Sequence, residues 1–578
     1  MSSIASRFSA ALGLWIGLAV SVTAFAQTSA NPNPYDPLMR QLTKAQTKLG
    51  PQMRYLSGGM INAFAVARHW EGLKAGLRQA GNGSSALHPP TIARTAGTNV
   101  TTPSLASRVL GFTQSETSTA WCGANAVVGY NDTGSVIETV GNTLNGGGLS
   151  FVGYGQSTNA NATSPVFSDK GALPATTGTG LPSPTGGLLI GDPVVTCTSA
   201  SNFYFSNIGF SCQFSLLGGG ILCGATLSTV DVSASSDGGA TFMPAMTAIA
   251  KDASSHLLDK DWMAVDPVNH EFYVSYTDFD SSGTDPTCSD IFDMRIAIEI
   301  VSSTDGVSWG APVTVTQVCA NAFDATAAAA VQGSQIAIGT DGSVYVAWEA
   351  TGLGGAGPDV HEIDIAKGPI GAGSFGAPVK VTNVNCAGDC DDGILQGSIR
   401  IAELPSLVAG KGTQTGKLFM AWNDGDNPQA DVGTATGTYN LTDVKLTSSS
   451  DGGVTWSAPV KVNNTTNLTD HFQPAAASDR SGRLAVCFYD RRNDANNFYI
   501  DRYCANSTNG GASFAANTRE TKKSFLSTVN QDLQLNPGGN YMGDYDTLAS
   551  DTMNTVNGFR GGYATNISGA PNVQENKF

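Results

Sequence analysis

Carboxylates dominate the positions at which this chain could do chemistry. Just ahead of successive apolar, strand-like runs stand Glu116, Asp192, Asp259, Lys260, Asp261, Arg400, Glu403, Asp470, His471, Asp544 and Tyr545. Behind the runs that follow stand Asp132, Asp278, Asp280, Glu349, Asp424, Asp426, Asp490, Arg491, Arg492 and Asp494. Such a set has the parts for breaking a glycosidic bond: one carboxyl must protonate the leaving oxygen, and a second group must act as base or nucleophile. Arg400, Arg491 and Arg492 add planar forks able to hold a carboxylate through two parallel hydrogen bonds. Asp490 and Asp544 join them as candidates for substrate binding.

These residues act together only if the chain brings them to one place, and a repeated turn shows how. Ser449-Ser450-Asp451-Gly452-Gly453-Val454-Thr455-Trp456 has relatives at Ser235-Ser236-Asp237-Gly238-Gly239-Ala240-Thr241-Phe242, Ser507-Thr508-Asn509-Gly510-Gly511-Ala512-Ser513-Phe514 and Ser303-Thr304-Asp305-Gly306-Val307-Ser308-Trp309. Eroded copies end at Phe375 and Phe167. The Asp or Asn side chain can accept backbone N–H groups, the glycines tolerate positive φ, and the closing aromatic resumes a strand. Copies recur at roughly sixty residues, a spacing that suits four strands per unit and radial blades. Six full units begin near Glu116, Asp192, Trp262, Ile336, Pro405 and Pro474. A half-unit, Thr547–Ser550 and Phe559–Thr565, closes the chain, and Ser107–Phe112 is its natural strand donor.

Composition agrees with a turn-dense all-β chain: 578 residues contain 68 glycines and only 13% charged residues. The net charge of −16 argues against nucleic acid and anionic membrane surfaces as partners. Arg7, the apolar run Ala11–Val20 and Ala24-Phe25-Ala26 read as a secretory signal over residues 1–26, so the expected location is periplasmic or extracellular. No later run is long enough to span a bilayer. In that compartment ten cysteines point to disulfides, with Cys487–Cys504 across one sheet and Cys386–Cys390 around a small loop as candidates. Residues 27–90 form a helical segment and linker, with Leu38, Leu42, Ala45 and Leu49, then Ile61, Phe64, Ala65, Arg68 and Leu73, at helical spacing. A pro-segment, a small cap and a plain appendage are all compatible with it.

The Ser-x-Asp-x-Gly-x-Thr-Trp repeats resemble the Asp boxes, or BNR repeats, of the sialidase (neuraminidase) superfamily across residues 110–570. Phe488-Tyr489-Asp490-Arg491-Arg492-Asn493-Asp494 and Tyr541-Met542-Gly543-Asp544-Tyr545-Asp546 resemble phrases of secreted bacterial exo-sialidase-like proteins. The resemblance implies an all-β propeller of six to seven four-stranded blades over residues 91–578, six being the family's number. It implies exo-acting glycoside hydrolysis of a glycan or glycoconjugate at the axial face, with Tyr545 as nucleophile, Glu403 as its base and Asp261 as the acid. The family's early Phe/Tyr-Arg-Ile/Leu-Pro motif is absent.

Other motifs point to no cofactor. Gly371-Ala372-Gly373-Ser374-Phe375-Gly376 is followed by a strand rather than a helix, which excludes a nucleotide-binding turn. The histidines are scattered and no paired C-x-x-C exists, so no metal site is expected. Asp389-Cys390-Asp391-Asp392-Gly393 is acidic enough for calcium but lacks the twelve-residue ligand spacing. The alternative of another class is a non-catalytic extracellular propeller that binds glycan or protein.

Overall fold

The computed structural model describes residues 36–46, positions 49, 56, 57, 60, 64 and 67, residues 98–99, and residues 114–578 with breaks. The breaks are 133, 136–147, 176–184, 218–219, 267, 289–292, 322–328, 354–359, 389–393, 431–437, 528–540 and 568–571. Seven sheets form a β-propeller, each an antiparallel blade of four strands. Blade I comprises Gln114–Cys122, Asn125–Asp132, Val152–Ser157 and Ser168–Ala172. Blade II comprises Thr185–Cys197, Phe203–Leu217, Gly220–Ser235 and Met246–Asp252, with Leu149–Ser150 added in parallel to its innermost strand. The innermost strands of blades III to VI are His256–Asp266, Ala330–Ile338, Ser406–Ala409 and His471–Ser478.

Blade VII settles the count at seven rather than six. Its strands Leu548–Ser550 and Phe559–Thr565 are the expected half-unit. The third strand is Asn572–Lys577, which comes from the chain's end, and only the outermost comes from the other terminus. That donor is Thr98–Asn99, paired to Glu575 and Gln574, whereas Ser107–Phe112 lies outside the described residues. Radial closure of this kind leaves only a short outer edge, the two-residue strand Thr98–Asn99.

The repeated turns lie between third and fourth strands, as their spacing predicts. In blade II, Asp237 accepts the Thr241 N–H at 3.0 Å and its hydroxyl at 2.6 Å, while the Ser235 hydroxyl accepts Gly239 N–H at 3.0 Å. Asp451 repeats the pattern with Thr455 and Ser449. These donors hold both carboxyls down to about 2.

Disulfides join Cys122 to Cys197, Cys288 to Cys319 and Cys487 to Cys504. The first ties the innermost strands of blades I and II, and the last joins directly opposed residues of blade VI, as expected. Cys386 is disulfide-bonded, and Cys390 lies outside the described residues together with the acidic run 389–393. The helix Asp36–Gln46 is present. Its Met39 and Leu42, followed by Leu49, Leu56, Met60 and Phe64, are buried in one apolar core with Ile208, Leu258 and Phe279 of blades II and III. Among the described residues no helix is long and apolar enough to cross a membrane.

Candidate active site at the propeller axis

The innermost strands do more than line the ring, because five of them are bulged at equivalent places. Register shifts fall between Ser115 and Ser118, Gly191 and Val194, Asp259 and Trp262, Gln332 and Gln335, and Phe472 and Ala475. The first inserted residue of each pair is left-handed: Glu116 at φ 51°, Asp192 at 57°, Lys260 at 47°, Gly333 at 67° and Gln473 at 52°. A bulge breaks the in-out alternation of a strand and re-aims the side chain it carries. Blade VII meets this ring through Gly543, at φ 98°, where a Cβ would come within 2.5 Å of Glu116 N. Blade V has a short innermost strand and is preceded by a hairpin, Ile394–Leu395 with Ile399–Arg400, that delivers Arg400.

Two of these bulge residues, Lys260 and Glu116, contact Asp544. Lys260 Nζ and Arg400 Nη2 both bind Asp544 Oδ2, the latter at 2.8 Å. Burial alone would raise the Asp544 carboxyl, but the two cations outweigh it and hold it below the ordinary range. Asp544 N–H donates to Glu116 Oε1 at 3.2 Å, and the Tyr541 hydroxyl donates to the same oxygen. Asn131 Nδ2 donates to Glu116 Oε2, and its own Oδ1 accepts Asp192 N–H at 2.9 Å. Burial, then the charge of Asp544, pushes Glu116 up; burial, then Glu116, pushes Asp192 well up.

Asp259 and Asp261 flank Lys260 and leave it in different directions. Asp261 accepts the Ser206 hydroxyl from blade II and is driven well up by burial. Asp259 accepts Gln332 Nε2 at 3.0 Å and two donors from Ser57 of the N-terminal segment. Tyr545 is buried, its hydroxyl donating to the Pro193 carbonyl at 3.2 Å and its ring packed edge-on against Trp262. Burial, then Asp192 and Glu116, raises this phenol well above its usual range.

Tyr545, Asp544, Asp261 and Arg400 thus share the axial region. Glu403 belongs to a second cluster, where its Oε1 accepts Ala387 N–H at 2.8 Å and its Oε2 lies 3.2 Å from His361 Nδ1. Glu349 Oε1 approaches the same nitrogen at 2.7 Å. Burial alone would lower His361, but the two glutamates push it up to about 11. Ligand atoms of Glu349, His361 and Glu403 lie within 4.8 Å of one another, as do those of His256, Asp278 and Asp280, so either trio has the donors to hold a metal ion. In the second trio Asp278 already meets Lys251 at 2.8 Å.

Arg491 and Arg492 are adjacent in sequence but diverge in space. Arg491 meets Asp470 at 3.1 Å and the Gln396 carbonyl at 2.8 Å, over the Phe472 ring. Arg492 pairs with Asp490 through Nε at 2.8 Å and Nη2 at 2.5 Å, stacked on Tyr503. Both forks serve blade VI and its surroundings. Glu116, Asp192 and Lys260 were legible as rim positions but had no assigned role in the sequence reading; Tyr541 stood only in a phrase carrying the resemblance, and Asn131 and Gln332 carried no signal. The cue that Glu116, Asp192 and Lys260 share with Asp261 is their place just before an innermost apolar run.

No protein-family model matches the chain, and no curated protein does. Among solved structures it is similar to a Hadza microbial sialidase at 13% identity and TM-score 0.39, over 67% of this chain and 65% of that one. It is also similar to a Trypanosoma rangeli sialidase bound to the inhibitor DANA, at 12% identity and TM-score 0.32, over 67% and 54%. An ulvan lyase from a new polysaccharide lyase family matches at 9% identity and TM-score 0.42, over 80% and 93%. The chain therefore spans less than two thirds of the length of either sialidase.

Proposed function

We propose that the axial cluster is the active centre of an extracytoplasmic, glycan-directed hydrolase, with Glu116 as general acid and Asp544 as the ionised carboxylate. One observation carries this reading. The two carboxyls are adjacent, with Asp544 N–H on Glu116 at 3.2 Å, yet their surroundings drive them apart. Burial and a neighbouring negative charge push Glu116 toward holding a proton, whereas Arg400 and Lys260 push Asp544 toward giving one up. Such a pair offers a proton donor and a proton acceptor at one pH. Asp261, pushed well up by burial, is a second candidate donor beside it. The disulfides among the described residues suit the oxidising compartment that the N-terminal apolar run implies.

The finer form is sialidase-like exo-hydrolysis with Tyr545 as nucleophile. A phenol held well above its usual range attacks only after passing its proton to a neighbour. Asp192, Glu116, Asp261 and Asp544 are the carboxyls whose charges reach it, while Glu403 is engaged by His361 and Ala387. In this form an axial carboxylate takes the part of base, and Arg400 is the arginine nearest the reacting centre. Arg491, Arg492 and Asp490 would contact an outer sugar after releasing their present partners.

The test is hydrolysis of a panel of aryl glycosides, the sialoside included, by the full chain and by Glu116→Gln, Asp544→Asn and Tyr545→Phe. Losing a positioned acid or base should slow turnover by about 10²–10⁴-fold. An equal fall in Tyr545→Phe, confined to the sialoside, would assign the nucleophile to the phenol. No turnover of any sugar, with the N-terminal segment docked or displaced, would sink hydrolysis and favour a propeller that only binds glycan or protein.

A further inference from the structure

The axial carboxylates face a piece of their own chain. Asp259 is fully buried, and its two oxygens accept the Ser57 N–H at 2.7 Å and the Ser57 hydroxyl at 2.5 Å. The Leu56 carbonyl accepts from Arg400 Nη2, the nitrogen that also holds Asp544. Ser57 Oγ accepts Met60 N–H at 3.1 Å, a side-chain cap on a helical turn. Leu56, Met60 and Phe64 anchor this turn in the apolar core shared with blades II and III. One dipeptide therefore satisfies a carboxylate on one side and a guanidinium on the other.

The complement has a chemical meaning. A buried carboxylate needs hydrogen-bond donors, and leaving it without them costs more than a typical hydrogen bond contributes. Whatever replaces Leu56-Ser57 must bring two closely spaced donors to Asp259 and one acceptor oxygen to Arg400. Two vicinal hydroxyls of a terminal sugar, with a neighbouring ring or acyl oxygen, meet that demand.

We propose that Leu56-Ser57 occupies in cis the ligand position of the axial site, so that the full chain is latent and is opened by displacing this segment. The assignment of a sugar to the vacated position rests on the glycan reading above. In the open state Asp259, supported by Gln332, becomes the diol acceptor and Arg400 the donor to the sugar's oxygen. A ligand then competes with the segment, and its apparent affinity falls by the fraction of chains that are closed.

The test compares the full chain with Ser57→Asp, which sets a second carboxylate against Asp259. Carbodiimide coupling of an amine to Asp259, read by mass spectrometry, reports access without relying on activity, and the glycoside panel is run in parallel. Expected are rises of at least about tenfold in Asp259 labelling and in turnover, the signature of a closed state favoured by about 1.4 kcal/mol or more. Should Ser57→Asp fail to fold, Ser57→Ala removes only the hydroxyl, and a smaller rise in both readouts is expected. Labelling unchanged in the variants overturns the inference. So does equal turnover by wild type and variant, which leaves hydrolysis standing and makes the segment an ordinary part of the core. Labelling that rises while no sugar is turned over upholds the occupied site and overturns glycan hydrolysis instead.

Discussion

Asp231→Asn should stabilise the protein at neutral pH and do progressively less as the pH falls. Asp231 lies on the third strand of blade II, fully buried, with the hydroxyls of Thr229 and Thr247 donating to its oxygens at 2.7 Å each. Burial outweighs both bonds and raises the carboxyl from 3.8 to about 6. The sign follows from proton binding. Between pH 4 and pH 6 the folded chain keeps this proton while the unfolded chain loses it, so stability declines as pH rises through that window and is level above it. A shift of about two units costs about 3 kcal/mol in full, of which about 2.4 kcal/mol accrues between pH 4 and pH 8. Asparagine has nothing to ionise, so the stability difference between variant and wild type should grow by that amount over the same range. Urea unfolding of both chains at pH 4, 6 and 8 measures it. Parallel stability curves would mean that Asp231 ionises normally despite its burial, and would undercut the same argument for Glu116, Asp192 and Asp261.

Further outcomes follow from other contacts. Lys260→Met leaves Asp544 short of one of its two cations and should cost about 3–5 kcal/mol, with Asp544→Asn recovering part of it in the same background. A double-mutant cycle with no coupling would show that Lys260 does not hold Asp544 ionised. At Gln473, where φ is 52°, Gln473→Val should be less stable than Gln473→Gly by about 1–3 kcal/mol in thermal or urea unfolding, and equal stabilities would deny strain at the bulge. His361→Gln should destabilise the chain at pH 7. A histidine raised from 6.5 to about 11 contributes stability that is complete below pH 6.5 and lost as pH rises toward 11, so the penalty should shrink in alkali. A penalty that does not vary with pH would mean that His361 acts through packing.

How much of this was legible in the sequence depended on how local the cause was. Innermost strands and repeated turns were readable because alternation, Asp-Gly turns and closing aromatics act over a few residues, and Cys487 opposite Cys504 follows from one hairpin. Ring closure was half readable. The need for a donor followed from counting strands, but Thr98–Asn99 is two residues long and Asn572–Lys577 is almost wholly polar, so neither carries a strand signal of its own. The bulges were not readable. Glu116 and Lys260 are not turn formers and Asp192 lies inside a long strand, so their left-handed backbone leaves no local mark, with glycine marking the place only at Gly333 and Gly543. Adjacency in sequence does not carry into space at Arg491-Arg492, because a chain leaving a strand end turns successive side chains to opposite partners. The N-terminal helix Asp36–Gln46 was foreseeable from its period, whereas the docking of Ser57 on Asp259, 202 residues away, was not.

The axial arrangement is costly in ways that packing does not repay. Glu116, Asp192, Lys260 and Gln473 are all non-glycine residues in left-handed backbone, at on the order of 1–3 kcal/mol each. The buried acids among them are driven toward neutrality, and a buried ion pair is commonly no better than apolar residues of the same volume. A ring built only for stability would carry apolar side chains at these points, as its outer layers do with Ile296, Ile298 and Ile300. Strain and charge instead coincide at one level of the propeller, on the strands nearest the axis, where neighbouring blades approach closely enough to hold them. That coincidence is what a site requires when proton donor and acceptor must be fixed in place before a substrate arrives. It also explains why an internal segment should cover the site, since Asp259 in a closed ring has to be given donors by something, and Ser57 supplies them until a ligand does.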